Sequence, residues 1–223
     1  MKNIFIKYIK YSIYLYVFVG FNISYAGSYE DFFRAIKTDD AGTVQSLLAR
    51  GFDPNTLDPQ VQHGLILAIR EPSPKVIKVL LAAPNLDLNA LNAKGESALM
   101  LAVFNGDLDL AAQMIKKGAD VNKTGWTPLH YAATQGHLPL ISLLIENHAY
   151  IDAESPNGST PLMMASMYGS AEAVKLLLDE GADPQLRNQQ GLTATQFAQR
   201  VNRQDVADMI AKSIRSKRPV GQW

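Results

Sequence analysis

The feature that most constrains this chain is a block of residues that returns at a nearly fixed interval. Gly125-Trp126-Thr127-Pro128-Leu129-His130-Tyr131-Ala132-Ala133 comes back 33 residues later as Gly158-Ser159-Thr160-Pro161-Leu162-Met163-Met164-Ala165. After another 33 it reads Gly191-Leu192-Thr193-Ala194-Thr195-Gln196-Phe197-Ala198. Upstream, Gly95-Glu96-Ser97-Ala98-Leu99-Met100-Leu101-Ala102 precedes the Trp126 block by only 30. His63-Gly64-Leu65-Ile66-Leu67-Ala68 lies 34 before the Ser97 alignment, and Phe32 to Ala35 a further 33 upstream. A second motif keeps phase with the first. Gly118-Ala119-Asp120-Val121-Asn122, His148-Ala149-Tyr150-Ile151-Asp152 and Gly181-Ala182-Asp183-Pro184 close successive units, with Gly51-Phe52-Asp53-Pro54-Asn55 and Asn85-Leu86-Asp87-Leu88-Asn89 as degenerate copies. A period of this length makes each unit one small supersecondary element, unable to bury its apolar face alone.

The residue chemistry within a unit predicts a helical hairpin. Thr127 and Thr160 are suited to cap a first helix, and the proline that follows has no amide hydrogen to leave unsatisfied. A short apolar helix then reaches a tight turn at Gly106-Asp107, Gly136-His137 or Gly169-Ser170. The second helix carries apolar residues at helical spacing, as in Leu140, Leu143, Leu144 or Val174, Leu177, Leu178. Gly118 and Gly181 end it, where a left-handed backbone is needed.

These two phased motifs resemble the ankyrin repeat, and the chain as a whole resembles small exported bacterial ankyrin-repeat proteins. The resemblance covers about residues 29–213 as six units. It implies an all-α solenoid of stacked helix-turn-helix repeats with finger turns between them. The N-terminal unit, with Glu30, Asp31, Lys37, Asp39 and Asp40, reads as a polar cap. The last unit, with Gln196, Gln199, Arg200, Asn202 and Gln204, reads as the other.

Two places depart from the pattern. Asp120 to Gly125 is three residues short, so the resemblance implies a blunted finger followed at once by Trp126. In the second unit the Thr-Pro start is missing, and Pro72 and Pro74 interrupt the junction between helices; Ser73-Pro74 is expected to cap and start the second helix.

The N-terminus reads as an address. Lys2, Lys7 and Lys10 precede an uncharged, aromatic-rich run centred on Ile13–Ile23, and Ser24-Tyr25-Ala26 offers small residues before a cleavage at Gly27. That is the order of a secretory signal peptide. Domain organisation therefore reads as a signal peptide over 1–26, a repeat domain over 27–213 and a basic flexible tail over 214–223. In that tail Pro219 opposes further helix. Removing the three leader lysines from 21 basic residues leaves 18 against 21 acidic, a formal charge of −3. That mild acidity weighs against nucleic acid as a partner. Cysteine is absent, which excludes disulfides and thiolate chemistry. The mature form is expected to be a monomer that is not embedded in a membrane.

By position, the resemblance places ligands on a concave face built from the finger turns and the outward side of each first helix. The candidate partner-binding residues are Trp126, Tyr131, Lys123, Thr124, Glu96, Leu101, Asn157, Ser159, Met164 and Gln189. Trp126 and Tyr131 lead, because rigid aromatics anchor interfaces at low entropic cost. The bland alternative has Trp126 covering the gap left by the short finger. His130, by resemblance, supports its turn through hydrogen bonds. The four histidines, His63, His130, His137 and His148, lack metal-binding helix spacing. Asp120, Asp152 and Asp183 lie in separate turns and lack a calcium loop's density of ligands, so they are expected to bond backbone amides. Neither a catalytic group, a metal site nor a cofactor is expected.

Together these readings predict a non-enzymatic scaffold that binds a partner protein in the periplasm. A secreted or surface protein that engages a host partner is the alternative. A membrane-anchored spacer follows if the leader stays embedded, and an enzyme would need convergent titratable groups that the sequence does not advertise.

Overall fold

A computed structural model describes residues 27–216. The expected signal peptide and positions 217–223 of the expected tail lie outside the described residues. The described chain is all-α, with only isolated antiparallel bridges, Leu57 to His63 and Leu91 to Ser97, in finger turns. It divides after Asp87 into two units.

The first unit holds α1 (27–37), α2 (Ala41–Ala49), α3 (Gly64–Arg70) and α4 (Pro74–Ala82). Phe32, Ile36, Val44, Leu47, Leu65, Ile66, Val76 and Leu80 form its core. The helices approach so closely that a Cβ on Gly64 would stand 2.9 Å from the Phe32 ring. α4 starts at Pro74, as the sequence predicts, but Ser73 does not cap it. The Ser73 hydroxyl instead donates to the Ile36 carbonyl at 2.6 Å. The cap comes from the preceding repeat: Asp39, in a left-handed conformation with φ 52°, accepts from the amides of Lys75 and Val76 at 2.9 and 3.0 Å. A carboxylate at a helix N-terminus satisfies free amides and favours the helix dipole.

The second unit holds α5 (Ala98–Phe104), α6 (Leu108–Lys116), α7 (Pro128–Gln135), α8 (Leu138–Glu146), α9 (Pro161–Tyr168), α10 (Ala171–Asp179), α11 (Ala194–Arg200) and α12 (Gln204–Ser216). α5, α7, α9 and α11 pack side by side in one row, and α6, α8, α10 and α12 in another. The core lies between the rows, where Leu99, Met114, Leu129, Leu140, Ile141, Leu162, Val174 and Leu177 are buried. Second helices end as expected on left-handed glycines, Gly118 at φ 95° and Gly181 at φ 102°. His148 takes the same place in its repeat at φ 66°. α12 runs to Ser216, past the expected start of the flexible tail. Its apolar stripe of Val206, Ala207 and Ile210 continues to half-buried Ile214.

In the second unit each first helix is closed by a residue three positions after its N-cap, and the chemistry of that closure changes from repeat to repeat. The N-cap amide of Ser97 donates to the Met100 sulfur at 3.4 Å, that of Thr160 to the Met163 sulfur at 3.4 Å, and that of Thr193 to Gln196 Oε1 at 2.9 Å. Thr127 donates to His130 Nδ1 at 3.2 Å. One geometry therefore accepts a thioether, a carboxamide or an imidazole.

A side chain at each unit's end also ties one repeat to the next. Asn89 Oδ1 accepts from the Asp120 amide at 2.8 Å, Asn122 Oδ1 from Tyr150 at 2.8 Å, and Asp152 Oδ1 from Asp183 at 3.1 Å. In the first unit Asn55 does the same for Asp87 at 2.8 Å. Of the three aspartates expected to bond local amides, Asp120 and Asp183 do so, to Asn122 at 2.7 Å and Gln185 at 2.8 Å. Asp152 also accepts from a backbone amide, that of Asp183 in the following repeat.

Candidate partner-binding face

A full finger is built on one polar side chain that accepts from amides two and four residues later. Asn92 Oδ1 takes Lys94 and Glu96 at 2.9 and 3.0 Å, and Asn188 Oδ1 takes Gln190 and Leu192 at 3.0 Å each. Ser155 plays this part through its hydroxyl, which accepts from the Ser159 amide at 3.0 Å. The finger is then pinned by a backbone bond from the same residue to the carbonyl four positions on, at 3.0 Å in all three.

The short finger lacks that residue, because Asn122 is already committed to the inter-repeat tie and only Lys123 and Thr124 precede Gly125. The Trp126 carbonyl thus has no backbone donor of the usual kind. Lys123 supplies one: its ammonium donates to the Trp126 carbonyl at 3.1 Å and to the Thr124 carbonyl at 3.0 Å. The structure therefore gives Lys123 an internal task at this candidate site. The next finger is altered to match. Between the Ser155 and Asn188 fingers, the Gln189 amide donates to the Asn157 carbonyl at 3.0 Å, and the Gln189 side chain donates to the Pro156 carbonyl at 2.9 Å. The residue equivalent to Gln189 one repeat earlier is Pro156, which has no amide to donate toward the missing finger.

Trp126 is half-buried, its indole edge-on to the His130 ring with centroids 5.2 Å apart. His130 is fully buried and bridges two repeats. Its Nδ1 accepts from Thr127, so Nε2 carries the proton and donates to the Ser159 carbonyl at 2.9 Å. Burial pushes its pKa down to about 4, against the raising effect of the bond to Ser159. The ring is neutral at neutral pH and does the supporting work the resemblance implies.

The outward side of the first helices follows from what each buries. α5 buries Ala98, Leu99, Met100, Ala102 and Val103, which leaves Leu101 half-buried and Phe104 exposed. α7 leaves Tyr131 and Thr134, and α9 leaves Met164 and Met167, all half-buried. Residues three apart share a helix face, so these pairs line up repeat by repeat along the row. Phe104 meets Tyr131 edge-on with ring centroids 6.1 Å apart. The Tyr131 hydroxyl donates to Glu96 Oε1 at 3.1 Å, and Glu96 Oε2 accepts from Asn92 at 2.8 Å. Burial, and then the Glu96 charge, push the Tyr131 pKa up to about 12.

The structure thus brings Glu96, Leu101, Tyr131 and Met164 onto one face, with Trp126 at the start of α7. Thr124, Asn157 and Gln189 sit exposed at finger tips. Ser159 is corrected: it is 1% exposed, and its hydroxyl accepts from Asn188 of the next finger at 3.4 Å, so its side chain presents nothing to a partner. Sequence reasoning missed Phe104 and Met167. The signal for both was the spacing of three from Leu101 and Met164. Among the described residues no cluster of three or more His, Asp or Glu could hold a metal ion.

Comparison with known proteins agrees with this architecture. A family model described as ankyrin repeats matches three times, over residues 32–124, 65–155 and 143–218. The chicken nuclear factor NF-kappa-B p105 subunit is 35% identical over 69% of this chain and 16% of its own length. A mouse B-cell lymphoma 3 protein homolog is 31% identical over 69% of this chain and 36% of its own length. The mouse ankyrin repeat and SAM domain-containing protein 6 is 44% identical over 42% of this chain and 12% of its own length. The chain therefore spans well under half of each of these relatives. With the repeat period, the helical hairpins, their capping chemistry and the family match in agreement, this chain belongs to the ankyrin-repeat family.

Proposed function

We propose that this protein is a non-enzymatic scaffold that binds a partner protein in the bacterial periplasm through the outward face of its first helices. The observation that carries the reading is that face itself. In α5, α7 and α9 the residues left out of the core are mostly large and apolar or aromatic, including Phe104 at 47% exposure and Tyr168 at 59%, with Thr134 and Gln135 of α7 as the polar exceptions. Apolar side chains held on rigid helices, with no packing task of their own, are what an interface uses. Membership of a family of binding scaffolds supports the same reading. The lysine-led apolar leader supports export.

The test is crosslinking followed by affinity capture from the exporting cell, with the intact protein beside a Trp126→Ala/Tyr131→Ala variant shown by circular dichroism to be folded. A periplasmic protein crosslinked to the first and lost from the second is the expected result. An identical partner set on both would remove this face from the binding reading. Capture only from culture medium or host material would overturn the periplasmic assignment.

A further inference from the structure

The charge pattern of the second unit goes further and names the chemistry of the partner segment; this step rests on the binding reading above. α5, α7 and α9 contain no Asp, Glu, Lys or Arg, whereas α6 and α10 behind them carry acidic and basic residues. The one ionised ring in these first helices would be that of His130, and it is buried and neutral. Along this row a partner meets Leu101, Phe104, Tyr131, Met164 and Met167. An anion laid against them loses its hydration with nothing in return.

One end of the row differs. Glu96 is half-buried beside Tyr131, and its two oxygens already accept from Tyr131 and Asn92 at 3.1 and 2.8 Å. No side-chain nitrogen of Lys, Arg or His lies within 4.0 Å of its carboxylate oxygens among the described residues. The ammonium of Lys123 is turned to the Thr124 and Trp126 carbonyls. Glu96 is thus a carboxylate oriented by neutral donors and lacking a cation. Arg and Lys complete such sites, because a carboxylate holds about four acceptor positions and only part of them is used.

We propose that this face takes a protein segment with a run of large apolar side chains and one Lys or Arg at its Glu96 end. The apolar run covers Phe104, Tyr131 and Met164, and the cation sits on the Glu96 carboxylate. The cation fixes which way the segment lies, since the helix at the other end of the row, α11, carries Arg200 and no carboxylate. Apolar contact dominates the affinity, so binding depends only weakly on salt.

The experiment selects a random linear peptide library displayed on phage against the immobilised full chain at low and high salt, and sequences the bound peptides. Three variants run beside it: Glu96→Gln, which keeps an acceptor for Tyr131; Phe104→Ser, at an exposed site; and Phe104→Ser/Met164→Ser. Thermal unfolding checks that each is folded. The expected peptides pair one basic residue with an apolar run and survive high salt. On Glu96→Gln the basic preference disappears while the apolar one stays, and on the serine variants recovery falls by about tenfold or more. Acidic or uncharged polar peptides that still depend on Phe104 and Met164 would overturn this proposal and leave the binding reading standing. So would a basic preference that persists on Glu96→Gln. Peptides that bind equally to every variant, or none at all, would overturn both.

Discussion

His130 has a folded pKa of about 4 against a reference of 6.5, which turns a buried ring into a statement about acid stability. The unfolded chain binds the proton more readily, so the contribution is full above pH 6.5 and is lost as pH falls toward 4. A difference of this size amounts to about 3 kcal/mol. Denaturant titrations over that range are expected to show stability falling as pH drops. In a His130→Met variant the thioether copies Met100 and Met163, so this part of the slope should vanish. The same variant gives up the bond to the Ser159 carbonyl and should be less stable by about 1–2 kcal/mol at pH 7.5. A slope unchanged in that variant would place the acid sensitivity elsewhere.

At the scale of the element, close approach between helices is the most exposed assumption of the stack. A Cβ on Gly169, at the α9–α10 turn, would stand 2.2 Å from the Ala133 carbonyl of α7 and 3.0 Å from Ala165 Cα. Both obstacles are backbone, so Gly169→Ala must push two repeats apart. Equilibrium unfolding should read a loss of about 2–3 kcal/mol. The same scale explains what the sequence made legible. Hairpins, their turns and their glycine ends follow from local pattern, and α3 to α11 fall where periodicity and capping predict. Other features depend on which side chain from a neighbouring repeat comes near. Asp39, not Ser73, caps α4, because the two lie far apart in sequence and adjacent in space. Ser159 is buried because Asn188 of the next finger closes over it. Phe104 and Met167 were legible in principle, since each stands three residues from a chosen one. The ammonium of Lys123 turns inward because a missing turn residue left a carbonyl unsatisfied, which no motif records.

At the scale of the whole molecule, the separation of charged from uncharged surface and the lysine-led leader belong to one proposal. A mature chain beginning at Gly27 is expected in the periplasmic fraction, its intact mass lower by that of residues 1–26. Full-length chain recovered only with membranes would favour the anchored spacer. Within the folded part, the blunted finger and Pro156 also bear on how the chain came to be. Restoring three residues around Lys123 would present a carbonyl that Pro156 cannot meet with an amide. Replacing Pro156 alone would leave an amide facing a finger that is not there. Each reversal is thus unrewarding without the other, and only the double change recovers the regular pattern. The two departures meet at one place in the stack, so restoring three residues around Lys123 is expected to stabilise the chain more in a Pro156→Gln background than in the native one, as read by equilibrium unfolding.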